Sequence, residues 1–192
     1  MVYWLVRFIA FCVFRVVYRI KVSGIENIPQ EGAFILCSNH IHALDPVILA
    51  TSIRRQLRIM AKKELFESRL LGGFLRAVGS FPVARNTADM SSYRNSIKSL
   101  KSGMGLLIFS QGTRLLELDI KNAKGGAALF AVKAKAPIIP AGIAGSYRFF
   151  SSLNIHFGKA IVLDQYYDEH LKTDQIETIM TGIMSEVEKL VT

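Results

Sequence analysis

The chain has 192 residues, enough for one well-buried domain and hardly enough for two. Half of it is hydrophobic and mean hydropathy is +0.30, yet no stretch is long and uncharged enough for a conventional membrane-spanning helix. The formal charge of +9 is uneven: residues 1–163 carry 22 Lys and Arg against 8 Asp and Glu, and residues 164–192 carry 2 against 7. A basic body favours anionic partners such as phosphate esters, acidic lipid or nucleic acid. Cys12 and Cys37 have no paired spacing, so neither a disulfide framework nor a zinc site is expected. His40 and His42 could share a strand face, but no third ligand lies near them in the sequence, and no metal is expected.

Residues 1–20 read as a strongly apolar helix interrupted by Arg7, Arg15 and Arg19. Arginines at mid-bilayer cost roughly 2.5–3.5 kcal/mol each on insertion scales, which argues against a span. The segment also lacks the early positive region and small-residue cleavage site of a signal peptide. At helical periodicity Val2, Leu5, Val6, Ile9, Val13, Val16, Val17 and Ile20 fall on one side. The arginines fall on the other, among Trp4, Phe8, Phe11, Phe14 and Tyr18. Arginine mixed with bulky aromatics suits a lipid headgroup layer. The expectation is an amphipathic helix whose aliphatic side packs on its own domain and whose other side meets a membrane surface.

Beyond it, Lys21–Ile25 reads as a short strand, Ala33–Ser38 as a buried strand and Pro46–Ile53 as a helix. Leu57–Ala61 reads as a strand, Leu65–Val78 as a helix and Ser80–Ala84 as a strand. Thr87–Lys101 is helical, with Asp89 in its first turn and Lys98 and Lys101 in its last, as the helix dipole prefers. Gly105–Ser110 is a buried strand, Gly125–Lys135 a helix and Pro137–Gly142 a strand. Lys159–Asp164 reads as a late strand and Thr173–Leu190 as a closing helix. The alternation predicts a single α/β domain with a central mixed, mostly parallel sheet flanked by helices. Ligands in such folds gather where strands end.

The run Ser38-Asn39-His40-Ile41-His42-Ala43-Leu44-Asp45-Pro46 carries the densest chemical signal. An imidazole titrates near neutrality, and a carboxylate five residues on can fix its tautomer and stabilise the imidazolium. Asp45-Pro46 is equally a good helix start, and Asp45 could serve only as a cap. Cations recur at strand ends: Lys62 and Lys63 after Met60-Ala61, Arg85 after Phe81-Pro82-Val83-Ala84, and Arg114 after Phe109-Ser110-Gln111-Gly112-Thr113. Gly112 lets the backbone turn, Thr113 offers a hydroxyl, and Arg114 can hold a phosphate with two parallel bonds. The basic run Arg54, Arg55, Arg58, Lys62 and Lys63 comes without a nucleic-acid motif and reads as a solvated face, so no nucleic-acid partner is expected.

Four segments together resemble a known family: Asn39-His40-x-x-x-x-Asp45, Phe81–Arg85, Phe109-Ser-Gln-Gly-Thr-Arg114 and Ala136-Pro-Ile-Ile-Pro140. Their order and spacing are similar to the four blocks of the 1-acyl-sn-glycerol-3-phosphate acyltransferases, within the wider glycerolipid acyltransferases. The resemblance covers residues 24 to 146 or so. With the helix already read at the N-terminus, the expected division is an amphipathic membrane-associating helix over 1–22 and an acyltransferase domain over 23–192. The resemblance implies acyl transfer from acyl-CoA or acyl carrier protein, with no other cofactor, to a lysophospholipid at the cytoplasmic face of a membrane, as a peripheral, monotopic enzyme. Residue by residue, His40 matches the catalytic base and Asp45 its orienting carboxylate. Asn39, Lys62, Arg85, Gln111, Gly112, Thr113 and Arg114 fall in or beside the substrate-binding blocks. The third block departs from the family pattern Phe-Pro-Glu-Gly-Thr-Arg, with Ser110 and Gln111 replacing Pro and Glu. The alternative is a non-catalytic lipid-binding homologue, with Gln111 as its mark; the intact His40 and Asp45 favour the enzyme.

Overall fold

The structure is a computed structural model that describes residues 2–84, 89–114, 120, 123–167 and 169–191. Helix α1 (Val2–Val17) leads into β1 (Arg19–Ser23), then β2 (Phe34–Ser38), α2 (Asp45–Ser52), β3 (Leu57–Lys62), α3 (Arg69–Ala77) and β4 (Ser80–Val83). There follow α4 (Met90–Lys101), β5 (Gly105–Phe109), α5 (Gly126–Ala134), β6 (Ile138–Gly145), β7 (Ser152–Phe157) and α6 (Thr173–Lys189). The seven strands order as β1-β7-β6-β2-β5-β3-β4. Every neighbouring pair is parallel except β6 and β7.

Alternation along β2 divides the core. Ile35 and Cys37 face α4, α5 and α6, whereas Phe34 and Leu36 face the side of α2 that buries Ile48, Leu49 and Ile53. Strands covered on both faces read as unbroken apolar runs, as 34–37 and 105–109 do. Gly105 is required by close approach: a Cβ there would stand 2.5 Å from the Phe34 ring. Because β2, β3, β4 and β5 are parallel, residues 38–40, 62, 83–84 and 109–110 emerge at one edge of the sheet.

Several expectations change. The residues 159–164 form no strand, only an isolated bridge between Ile161 and Ile138. The seventh strand is instead β7, whose Ser-Leu-Asn-Ile-His-Phe alternates exposed or half-buried with buried positions. The expected helix over 65–78 is a short 3-10 turn (Lys63–Phe66) and then α3. Ser68 separates them, its hydroxyl accepting from the Leu71 amide at 3.3 Å.

Helix α4 starts at Met90, with Asp89 as its cap rather than a first-turn residue; the expected start, Thr87, lies outside the described residues. Asp89 accepts from the amides of Ser91 and Ser92 and, with its other oxygen, from Ala84 at 2.8 Å. These bonds, the one from Ala84 foremost, hold its carboxyl at about 2, below the ordinary 3.8. A depressed carboxyl stabilises the fold above its unfolded value and loses that contribution as pH falls through the folded one. Asp89→Ala should therefore cost about 0.5–2 kcal/mol in urea unfolding at neutral pH. The gap from wild type should close between pH 4 and 2 or so.

The N-terminal helix is turned differently from its expected orientation. Its inner side is Tyr3, Val6, Arg7, Ala10, Phe14 and Val17, while Leu5 (61% exposed), Ile9 (54%) and Val16 (74%) point outward with Phe8 (64%). Arg7 decides this. Its guanidinium donates to Ala50 O at 3.0 Å, to Thr51 O at 3.2 Å and to Ile53 O, capping the carbonyl end of α2. Unpaired carbonyls and the negative end of a helix dipole both favour a cation there. The Tyr3 hydroxyl meets the Leu57 amide on the same side at 3.2 Å. Ile20, expected on the helix's aliphatic face, is instead buried in β1.

Candidate active site

Strand β2 delivers Asn39 and His40 at its carboxyl end. The Asn39 carboxamide donates to Ile143 O at 2.9 Å and accepts from Ile143 N at 2.8 Å, prolonging the pairing of β2 with β6. Its side chain is thus committed to backbone, and the ladder continues one residue past the strand. His40 follows with its ring stacked on Phe109, centroids 4.1 Å apart and planes 21° apart.

The five-residue spacing brings the dyad into contact. His40 Nδ1 lies 2.7 Å from Asp45 Oδ2. The same oxygen accepts the amides of Ile41 at 2.7 Å and His42 at 2.8 Å. The other, Oδ1, accepts the Tyr147 hydroxyl. Asp45 begins α2 but does not cap it with its side chain, because the carboxylate turns back to its own loop. Four donors around an acceptor-only group assign the imidazole proton to Nδ1 and the lone pair to Nε2. Asp45 is completely buried, and His40 is nearly so.

His40 lines a cavity of about 600 Å³. Apolar side chains supply most of its wall: Val6 and Ala10 from α1, Val47 from α2, Ile59 from β3, Phe74 from α3 and Phe130 from α5. Lys62, Arg114 and Lys124 also line it. Lys62 is half exposed and 3.7 Å from Glu64, a surface pair that restrains it little. Thr113 and Arg114 are exposed in the turn after β5.

Gly112 sits in that turn at φ +69°, in the left-handed region, and its amide donates to Phe109 O at 2.9 Å. A Cβ on Gly112 would lie 2.9 Å from Lys124 Cε and 3.1 Å from Nζ. The glycine therefore serves both the turn and the approach of a lysine. Gln111 is buried, and neither of its amide atoms has a hydrogen-bond partner among the described residues. Arg85 lies outside the described residues. No cluster of His, Cys, Asp or Glu able to hold a metal occurs among the described residues.

Two residues of this site were not legible beforehand. Lys124 is brought to Gly112 when its amide donates to Ser110 O at 2.7 Å, a link between two loops. Nothing in Asn122-Ala123-Lys124-Gly125-Gly126 announces that contact. Tyr147 reaches Asp45 across 102 positions of chain, beyond any local pattern.

The family model described as Acyltransferase matches residues 19–144. A 1-acyl-sn-glycerol-3-phosphate acyltransferase of Bacillus subtilis is 39% identical over 127 residues, 66% of this chain and 63% of that protein. Its counterpart in Streptococcus pneumoniae is 32% identical over 173 residues, 86% of this chain and 63% of that protein. The chain thus spans less than two thirds of the length of either relative. The crystal structure of a 1-acyl-sn-glycerophosphate acyltransferase from Thermotoga maritima matches with a TM-score of 0.73 at 19% identity, covering 97% of this chain and 78% of that one, a likeness of fold.

Proposed function

The chain belongs to the acyltransferase family, and we propose that it moves a fatty acyl group from an acyl thioester to the free hydroxyl of 1-acyl-sn-glycerol-3-phosphate or a related lysolipid. One observation carries the reading. A histidine held through Nδ1 by a buried aspartate faces a cavity whose wall is largely apolar and includes four cations, Lys62, Arg114 and Lys124 besides the Arg7 that is engaged with the end of α2. Apolar wall suits acyl chains, and cations suit the phosphate of the acceptor.

In this mechanism His40 Nε2 takes the proton of the acceptor hydroxyl as that oxygen attacks the thioester carbonyl. Asp45 stabilises the imidazolium that forms and keeps the ring in place. The tetrahedral intermediate then collapses, the carbon–sulfur bond breaks, and the leaving thiolate takes the proton from His40. No covalent acyl-enzyme is needed. Arg114, Lys124 and Lys62 hold the acceptor phosphate and so set the distance from hydroxyl to imidazole, where positioning contributes heavily. Asn39 acts indirectly, by fixing the backbone that presents His40. Acyl-CoA and acyl carrier protein are both compatible donors, since each presents the same thioester.

The deciding experiment supplies labelled acyl-CoA or acyl carrier protein thioester with lysophosphatidic acid or the matching monoacylglycerol, and follows the lipid products by mass. The expected product is the diacyl phosphate, with the phosphate-free acceptor used far less well. In Arg114→Ala that preference should shrink through a higher acceptor KM. Thioester consumption without acylated lipid, or equal use of both acceptors, would refute the assignment.

The same reading places the protein on a membrane surface. No helix among the described residues is long and apolar enough to cross a bilayer. The outward side of α1, with Leu5, Phe8, Ile9 and Val16, is a broad apolar face, and Phe149 and Phe150 are exposed where Phe150 N donates to Val17 O. A helix lying in the interface buries such a face. Phe8→Ser with Ile9→Ser should weaken co-sedimentation with anionic vesicles by about 10- to 100-fold, from the apolar area each side chain brings. Neither residue lines the cavity, so turnover on detergent-dispersed substrate should persist.

A further inference from the structure

The Tyr147 side chain does more than fill space beside the dyad. It stands in the short connection between β6 and β7, which several backbone bonds pin. Phe150 N donates to Val17 O at 2.8 Å, Ser151 N to Arg148 O at 3.1 Å, and Ser146 N to Ser152 O at 3.3 Å. Gly145 precedes it at φ +117°, where a Cβ would lie 2.2 Å from Ser152 O. The phenol ring is sandwiched on one side by His42, stacked at 4.1 Å and 17°, and met edge-on by Tyr18 at 5.6 Å. Its hydroxyl then donates to Asp45 Oδ1. Burial first, then the bond and charge of Asp45, push this phenol far above its ordinary value, so it keeps its proton.

Three of the four donors on Asp45, including His40, use Oδ2. Among the described residues, Tyr147 is the donor to Oδ1. A carboxylate turns easily about its last bond, a broad two-fold torsion, and a second anchored oxygen fixes its plane. We propose that Tyr147 is a positioning residue of the acyl-transfer site. It locks the Asp45 carboxylate so that Oδ2 stays aligned with His40 Nδ1, and it draws off part of the negative charge that the imidazolium would otherwise face. This rests on the acyltransferase reading for its catalytic consequence, but the lock itself is a property of the resting site. The titratable groups facing the lock are His42 from the loop after β2, Tyr18 from the segment after α1, and His40 through Asp45. His42 contributes through its ring face, while its Nδ1 accepts from Leu44 N at 3.2 Å.

The test is Tyr147→Phe in the full chain, which keeps the ring against His42 and Tyr18 and removes only the hydroxyl. At saturating thioester and lysolipid, kcat should fall about 10- to 100-fold, the range seen when an orienting partner is lost. Both KM values should stay within about twofold, because the phenol bonds to Asp45 and not to the cationic wall. With one donor gone, the Asp45 charge bears more fully on His40. The acid limb of the pH–kcat profile should then move up by roughly half to one unit. The hydrogen-bonded Nδ1 proton of His40, read by proton NMR on the resting protein, should shift with it. Tyr18→Phe, which removes a neighbouring hydroxyl instead, should leave all four readouts at wild-type values. An unmoved acid limb and Nδ1 resonance in Tyr147→Phe would overturn the inference, whether or not kcat falls. So would the same changes appearing in Tyr18→Phe. If the wild type transfers no acyl group, the functional reading fails, yet the Nδ1 resonance still decides the lock.

Discussion

His40→Ala should lower kcat for acyl transfer by about 10²–10⁴-fold, the usual contribution of a general base, while the folded protein remains as stable as wild type to within about 1 kcal/mol. The ring's contacts are the Asp45 bond and a stack on Phe109, and three of the four donors on Asp45 survive its removal. Binding should also survive, since the apolar wall and the cations Lys62, Arg114 and Lys124 are untouched. Radiolabelled acyl transfer measures the first effect and thermal unfolding the second. Turnover within threefold of wild type would remove His40 from the chemistry and with it the proposed mechanism.

Asp45→Asn is the more discriminating change, because it removes charge while nearly keeping shape. With the carboxamide oxygen at the Oδ2 position, the amides of Ile41 and His42 and the His40 Nδ1–H all keep an acceptor. The amide nitrogen then faces the Tyr147 oxygen, which rotates its own proton away and accepts. The imidazolium, however, loses its counter-charge. We expect kcat to fall by about 10²–10⁴-fold, with the acid limb of the pH profile moving down as the protonated ring becomes less favoured. Asp45→Ala should instead strand the partly buried Ile41 and His42 amides and cost about 1–3 kcal/mol in stability. The contrast between the two variants, read by unfolding and by rate, separates the electrostatic role of Asp45 from its structural one. If Asp45→Asn turns over like wild type, the charge is not used.

Together with the Tyr147 lock, these variants define a ranking. Loss of the base removes chemistry alone, loss of the carboxylate charge moves the pH profile down, and loss of the phenol moves it up. Opposite displacements of one limb by two neighbouring substitutions are hard to produce by general loosening of the site.

Several features were readable before any coordinates, each for a local reason. The strand over 34–38, the helix beginning near Pro46 and the parallel alternation of elements follow from apolar runs and turn residues that act over a few positions. The contact of His40 with Asp45 is also short-range: five residues of tight loop suffice, with the Ile41 and His42 amides folding the carboxylate back. The turn at Gly112 is local too, because only a residue tolerant of φ +69° fits it. Strand β7 was there to be read, since its alternation of half-exposed and buried positions has the period of a strand.

What tertiary structure alone decided depends on contacts between distant segments. Helical periodicity identified α1 but set its inward side wrongly, because large apolar side chains occur on both faces, aliphatic on one and aromatic among the arginines on the other. The Arg7 guanidinium, satisfying the carbonyls of residues 50, 51 and 53, turned the aliphatic residues outward. The lowering of the Asp89 carboxyl needed Ala84 to arrive beside it, whereas the cap itself is local. Lys124 joined the cationic wall through a loop-to-loop bond to Ser110, and Tyr147 reached Asp45 only because β6 lies next to β2 in the sheet. A one-dimensional pattern records which residues can pair locally. Which remote donor satisfies a buried acceptor is settled by packing.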